Sequence, residues 1–273
     1  MTKLFKKYSH RKAFAAGKGG SMANTFKRME KKTTLPSSMV DELKARIAPY
    51  MNGDPYNVDG KPYMICNLYY DAPDDHVIRE SVQLPKYKEK LRLRSYGVPT
   101  ADSKVFLELK KKQDGVGTKR RTKLRYGDLM HYLDTGVHPE GLSYIDEQVL
   151  REIDYYRSHQ TVEPRVYVSY LRNAYHGKED PSFRVTLDSD ILTRRHDLDL
   201  TLGRYGTPIL TEGTTLMEVK FSGAVPFWFC RVMSDLGLSF HTFSKVGTDF
   251  KLYAFERACS AHPEEDHYLR LIH

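Results

Sequence analysis

Cysteine is scarce. Cys66, Cys230 and Cys259 are the only three in 273 residues, an odd number with no CxxC spacing. A disulfide framework and a zinc knuckle are therefore excluded as organising devices, and a reducing compartment, the cytoplasm, is the expected setting. Long apolar runs are also missing. The best candidate, "AVPFWFC" at 224–230, is far below the ~20 residues that span a bilayer. The basic N-terminus lacks the apolar centre of a signal peptide. Eleven histidines show no HExxH or paired spacing, so none is assigned a metal. Ser244 has no accompanying His and Asp pattern, which argues against acyl transfer. Gly115 and Gly117 in "DGVG" are not followed by GxxxxGK[ST] and read as a hairpin loop, not a phosphate cradle.

Charge is abundant. Lys and Arg number 43 against 35 Asp and Glu, a formal net charge of +8. That balance points to an anionic partner such as nucleotide, polyphosphate, nucleic acid or an acidic membrane surface, although a soluble enzyme that is simply basic has the same totals. Residues 1–24 are basic, Gly-containing and aperiodic, and read as a solvated lead-in. Contact with a membrane surface through this segment is the alternative. A single domain is expected over 25–258, with a tail at 259–273.

From residue 26 onward the pattern is rich in strands. "FKRMEKKTTL", "YMICNLYYD", "EKLRLRSYG", "KVFLELKKK", "KRRTKLR", "RVYVSYLRNAYHG", "SFRVTLDSDIL" and "TLMEVKFSG" all read as strands. Helices are expected in "PSSMVDELKARIAPYM", capped by Ser37 or Ser38, in "YGDLMHYLD", from Tyr144 to about Arg157, in "PFWFCRVMSDLGL" and in "TDFKLYAFERA".

Most of these strands repeat one design, with charged residues two apart and an apolar residue between them. Arg28, Glu30 and Lys32 do so, as do Arg92 and Arg94, and Glu108, Lys110 and Lys112. So do Lys119, Arg121 and Lys123, then Arg184, Thr186 and Asp188, and Glu218 with Lys220. Residues two apart on a strand share a face. For any single strand a solvated outer face explains the pattern. Taken together, cations dominate, single carboxylates stand between them, and the repeated Arg suits phosphate and carboxylate. The competing reading is a closed barrel whose apolar face is covered by helices and whose charged face lines a tunnel. Such a tunnel would concentrate anions and hold successive phosphates of a chain by charge-assisted bonds. Its carboxylates would be useful if they held a hard divalent cation bridging phosphate oxygens.

At this point the motifs match a family. "FKRMEKKTTL", "NLYYDAPDDHVIRES", "EKLRLRSYG", "VFLELKKK" followed by "TKRR", "YLRNAY", "FRVTLDSDI", "LMEVKFSG" and "FSKVGTDF" occur in order from about residue 25 to 255. The chain resembles the polyphosphate polymerase domain of the vacuolar transporter chaperone (VTC) complex, one of the triphosphate tunnel metalloenzymes. The resemblance implies an α+β fold, a closed antiparallel barrel of about eight strands with a basic lumen and helices packed outside. It implies a transferase that passes the γ-phosphate of ATP to a growing polyphosphate chain, with Mn²⁺ or Mg²⁺ as cofactor. ATP and polyphosphate are then the partners, with no nucleic acid expected.

Carried over by position, Arg92, Arg94, Lys110, Arg172, Arg184 and Lys245 are the expected catalytic cations. Lys32 (with Lys31 beside it), Arg79, Lys119, Arg121, Lys220 and Ser244 are the expected phosphate or nucleotide binders. Glu218 is the expected metal ligand, ahead of Glu30 and Glu108. Glu108 reads better as an ion-pair partner of the neighbouring cations, and Asp188 as the residue that orients Arg184 or supports a strand end. Tyr167 and Tyr170 read as packing residues. One departure bears on activity. Hydrolytic relatives open with ExExK, whereas Arg28 here gives RxExK, which favours polymerase over hydrolase. A hydrolase of triphosphate or polyphosphate, and a non-enzymatic polyanion binder, are the competing functions.

Overall fold

The computed structural model describes residues 28–83, 86–113 and 116–261. The lead-in 1–24 lies outside them, as does the last part of the expected tail, from 262 on. The strands are β1 (Arg28–Pro36), β2 (Met51–Gly53), β3 (Tyr63–Asp71), β4 (Tyr87–Tyr96), β5 (Lys104–Gln113), β6 (Val116–Arg125), β7 (Glu163–Gly177), β8 (Arg184–Arg194), β9 (Thr207–Pro208) and β10 (Thr214–Ser222). The α-helices are α1 (Val40–Ile47), α2 (His76–Val82), α3 (Tyr126–Thr135), α4 (Tyr144–His159), α5 (Phe227–Asp235) and α6 (Lys245–Ala261).

All strands belong to one antiparallel, ten-stranded sheet. Its main path is β1-β10-β8-β7-β3-β4-β5-β6, with β2 paired to β7 and β9 to β8. The expected eight-stranded path is thus present, and two short strands, β2 and β9, were not foreseen. The expected closure is not there. The edge strands β1 and β6 approach within 8 Å without forming a ladder between the described residues. The sheet is therefore strongly curled and open along one seam, not a closed barrel. Its right-handed twist and the bulges at Tyr69/Tyr70 and Ser169/Leu171 supply the bend.

The apolar residues of the alternating strands make the outer layer. Leu91, Leu93, Leu107 and Leu109 are buried against Leu129, Tyr132, Leu150 and Ile153 of α3 and α4. Met217, Val219 and Phe221 of β10 are buried with Leu43 and Ile47 of α1 and Phe229 and Val232 of α5. Truncating such a leucine costs about 2–5 kcal/mol, so the outer face fixes the register of every charged residue opposite.

Helices α2 and α6 depart from the expected exterior position. Ile78 and Val246 pack on Ile65, Val166, Val168, Tyr170 and Leu216. Those strand residues alternate in phase with Asn67, Arg172 and Glu218, so both helices cover part of the concave face. Helix α2 escaped the sequence pattern because it is only about two turns long. It starts where the Asp71 carboxylate accepts from Val77 N and Ile78 N, both at 2.8 Å. The expected Ser37 or Ser38 cap is absent: Ser37–Met39 forms a 3-10 turn with no side-chain cap, and Ser37 Oγ instead contacts Thr215 Oγ1 at 3.0 Å. Helix α6 begins earlier than "TDFKLYAFERA" and runs on to Ala261, so the expected tail begins inside it.

Candidate functional site

Ladder register brings the charged residues into rows across the concave face. On one limb, Lys32 faces Glu218 and Thr186, and Glu30 faces Lys220 and Arg184. On the other limb, Tyr69, Arg92, Glu108 and Arg121 are in line, as are Asn67, Arg94, Phe106 and Lys123. A third row places Lys90, Lys110 and Lys119 directly opposite one another. Lys32, not Lys31, shares the face of Glu218, which resolves the choice between those neighbours.

The first limb carries a charge-balanced nest. Arg172 Nε donates to Asp188 Oδ1 at 2.6 Å and Nη2 to Asp188 Oδ2 at 2.7 Å. Lys245 Nζ lies 2.6 Å from Asp188 and 2.8 Å from Glu218. Glu218 also meets Lys32 at 3.6 Å and both Arg172 and Lys220 at 3.5 Å. Burial alone would raise the Glu218 carboxyl, but Lys245, Lys220, Lys32 and Arg172 outweigh it and hold the group well below its ordinary value. Asp188 therefore serves Arg172 and Lys245, and neither orients Arg184 nor supports a strand end, the two roles read for it from sequence. Arg184 is 40% exposed and donates to Asp54 Oδ2 at 3.1 Å.

Lys245 reaches this nest because of a helix cap. Ser244 Oγ accepts from Gly247 N at 3.1 Å and its carbonyl from Thr248 N at 2.7 Å, so Ser244 starts α6 and Lys245 occupies its first turn. A cation at a helix N-terminus opposes the macrodipole, and Asp188 with Glu218 offsets that cost. Tyr170 joins the two limbs. Its hydroxyl accepts from Arg94 Nη2 at 3.3 Å, while Arg172 and Lys245 lie 4.9 and 4.7 Å above its ring. It is a buried packing residue, as read from sequence, but one that spaces three cations. Tyr167 is fully buried with Arg194 stacked 3.5 Å from its ring centre.

The second limb is short of carboxylates. Glu108 is the only one in its rows, and both its oxygens are taken. Arg92 Nε donates at 2.9 Å, Arg92 Nη2 makes a second, shorter bond, and Lys119 lies at 3.3 Å. Burial would raise Glu108, yet Arg92, Arg94 and Lys119 together hold it down to about 2. A carboxyl lowered in the fold contributes stability that is fully present above its ordinary pKa of 4.5 and is lost as pH falls toward 2. Glu108→Gln should accordingly flatten the acid limb of a denaturation-versus-pH profile between those values, and an unchanged acid limb would count against this pairing.

Lys90, Lys110, Arg121 and Lys123 form no ion pair with a carboxylate among the described residues. Arg121 instead lies 5.0 Å over the Phe106 ring. Lys110 is pushed down to about 8, first by Arg92 and then by burial, and Lys90 to about 8 chiefly by burial. Lys110 also feels Glu30 and Lys220 of the far limb, which records how far the sheet curls around. Sequence reasoning overlooked Lys90, although its place two residues before Arg92 was a usable signal. It also overlooked Tyr69, whose hydroxyl accepts from Arg92 Nη1 at 3.2 Å. Burial would raise that phenol, but Arg92, Lys110 and Arg94 outweigh burial and bring it to about 7. Arg79 is not brought to the face at all. It sits half-exposed on α2, bound to Asp74 at 2.8 Å.

No cluster of three His, Cys, Asp or Glu side chains able to hold a metal exists among the described residues. Glu218 and Glu30 each touch the amines of both Lys32 and Lys220. A divalent ion there would draw on two protein carboxylates and complete its shell from phosphate and water, an ordinary arrangement for Mg²⁺. The donor set fits a metal carried in with phosphate. Glu108 does not belong to it, being fully buried between Arg92 and Lys119.

No helix among the described residues is long and apolar enough to cross a membrane. No curated protein sequence matches the chain. Among solved structures, it resembles an adenylate cyclase candidate of Bacillus halodurans at 13% identity, covering 80% of this chain and 95% of the other, with a TM-score of 0.47. An adenylyl cyclase candidate of Hippeastrum, described as having a dominant triphosphatase activity, matches at 18% identity over 80% and 92% of the two chains, TM-score 0.43. A further adenylate cyclase candidate, from Vibrio parahaemolyticus, matches at 11% identity over 82% and 97%, TM-score 0.42. These likenesses are too distant to assign an activity. The sequence match is of another order, since the model of the VTC domain spans residues 27–252, the whole of the curled sheet, helix α2 and the first half of α6. The chain belongs to the VTC domain family.

Proposed function

We propose that the chain is a metal-dependent polyphosphate polymerase that transfers the γ-phosphate of ATP to the end of a polyphosphate chain. Family membership supports a phosphate-handling enzyme. The observation that favours a chain-like polyanion is the second limb, where Lys90, Lys110 and Lys119 stand in one row and Arg121 and Lys123 form no ion pair among the described residues. Like charges directly opposed across a ladder are destabilising. A surface that keeps such a row has a use for an anion that neutralises it.

In the reaction, the terminal oxygen of the acceptor chain forms a new P–O bond to the γ-phosphorus. The bond to the β–γ bridging oxygen breaks and ADP leaves with that electron pair. Phosphoryl transfer asks the protein for alignment and for stabilisation of charge on the equatorial oxygens. Arg92, Arg94, Lys110, Arg172, Arg184 and Lys245 supply the cations, and Lys32, Lys119, Arg121 and Lys220 extend the phosphate track on either side. Glu218, with Glu30, would hold the divalent ion, which neutralises donor phosphate charge when bound. Ser244 acts by capping α6 and so setting the position of Lys245. Arg79 has no role in this scheme.

Purified protein incubated with ATP and Mn²⁺ should yield long phosphate polymer on a gel, with one ADP per phosphate incorporated. ADP accompanied only by orthophosphate would replace this reading with a hydrolase.

A further inference from the structure

A group of four aromatic rings lies at the end of the concave face where β3 and β5 begin and β4 ends. Tyr56 stacks on Tyr96 with ring centres 5.4 Å apart and an interplanar angle of 15°. Tyr63 closes the group at 5.7 Å from Tyr56 and 6.0 Å from Tyr96, and Phe106 meets Tyr96 edge-on at 5.8 Å. Two of these rings stand out from the core. Tyr56 is 60% exposed and Tyr96 40%. An exposed cluster of this kind calls for a ligand that tolerates water at its edge and has a flat face to offer.

Its neighbours define the ligand further. Tyr96 follows Arg94 by two residues on the same strand face, Phe106 lies across the ladder from Arg94, and Tyr63 lies across from Arg172. Tyr96 is thus about 7 Å along its strand from Arg94, while Phe106 and Tyr63 stand directly beside Arg94 and Arg172 on the neighbouring strands. The platform is also held ready. The loop carrying Tyr56 is pinned by Asn57, whose Nδ2 donates to Ala174 O at 2.6 Å and whose Oδ1 accepts from Ala174 N at 3.2 Å. Asp54, two residues before Tyr56, ties the same loop to Arg184.

We infer that Tyr56, Tyr63, Tyr96 and Phe106 form a stacking platform for the base of a purine nucleoside triphosphate, which enters with its phosphates directed inward to Arg94 and Arg172. This rests on the reading that the donor is a nucleotide, and it adds how the donor is told from bare polyphosphate. Stacking on aromatic faces recognises the presence of a base and tolerates its identity. The platform therefore accepts adenine and guanine alike, and it binds a nucleotide more tightly than an inorganic chain of the same phosphate count.

The test is calorimetric titration of the full chain with ATP, GTP and inorganic triphosphate at one fixed Mn²⁺ concentration. ATP and GTP should bind within about threefold of each other. Tyr56→Ala and Tyr96→Ala should each weaken both nucleotides about 5- to 100-fold, with triphosphate affinity changed less than twofold and Tyr96→Phe close to wild type. Equal weakening of ATP and triphosphate, unchanged ATP binding, or strong preference for one purine would overturn the inference. Tyr56 is exposed, so its variant keeps the test valid if Tyr96→Ala fails to fold. Failure of the polymerase reading is separable, because it would leave these binding ratios intact and show only as ATP consumed without polymer.

Discussion

Glu218→Gln is expected to abolish phosphate transfer and to lower the thermal midpoint by roughly 10 °C. The wild-type carboxylate faces Lys32, Arg172, Lys220 and Lys245 at once and is nearly excluded from water. Removing one member of a buried ionic group costs about 3–5 kcal/mol, because the partners stay buried and unbalanced. After the change Asp188 alone answers Arg172 and Lys245, and Lys32 and Lys220 keep only the half-exposed Glu30. The pH dependence has a definite sign. A carboxyl held well below its ordinary value contributes stability above that value and loses it as pH falls, so the variant should lose less stability on acidification. An added anion should compensate in part: in metal-free buffer, inorganic triphosphate should raise the midpoint of the variant more than that of wild type. Differential scanning fluorimetry and a turnover assay read all three effects. A variant with wild-type midpoint and turnover would remove Glu218 from the centre of the site.

The second large effect has the opposite stability sign. Lys110→Ala should weaken triphosphate binding at least about 10-fold, by loss of a charge-assisted hydrogen bond worth about 1.5–3 kcal/mol, while leaving the thermal midpoint unchanged or higher. The reason is the row Lys90, Lys110 and Lys119, in which the middle amine is opposed on both sides by like charge. Arg92 and burial together bring Lys110 to about 8. Since its ordinary value is 10.5, the unfolded chain keeps a proton across that window that the fold has released, so wild-type stability should rise with pH there. Anion affinity should fall over the same window as Lys90 and Lys110 lose charge, and the fall should be shallower in Lys110→Ala. A destabilised variant with unaltered binding would mean that the row is structural and not a binding surface.

These two residues illustrate a division of labour that the totals of charge do not reveal. One limb of the concave face is internally neutralised and rigid, built on Arg172, Asp188, Glu218 and Lys245. The other is left cationic. A polyanion sliding along both meets a fixed, ordered nest and a stretch whose own repulsion it relieves.

The alternation of charge and apolar residue was legible in the sequence. A strand has only two faces, and leucines such as Leu91, Leu93, Leu107 and Leu109 must be buried, so the sequence alone determined that Arg92, Arg94, Glu108 and Lys110 share the other face. The motifs likewise determined the family. What the pattern could not decide was which strands neighbour which, and therefore who pairs with whom. Asp188 was read toward Arg184, four residues away on its own strand, but the tertiary ladder set it against Arg172 of β7 and the incoming Lys245 of α6. Arg79 matched a family position, yet the short helix α2 directed it to Asp74 and away from the face. Tyr56 carried no local signal and Lys90 only its spacing to Arg92, since their roles arise from a loop pinned to Ala174 and from a row that exists only across three strands. Closure was undecidable for the same reason: whether β1 meets β6 depends on accumulated twist and bulges over the whole sheet, a sum of small rotations that no single stretch of sequence encodes.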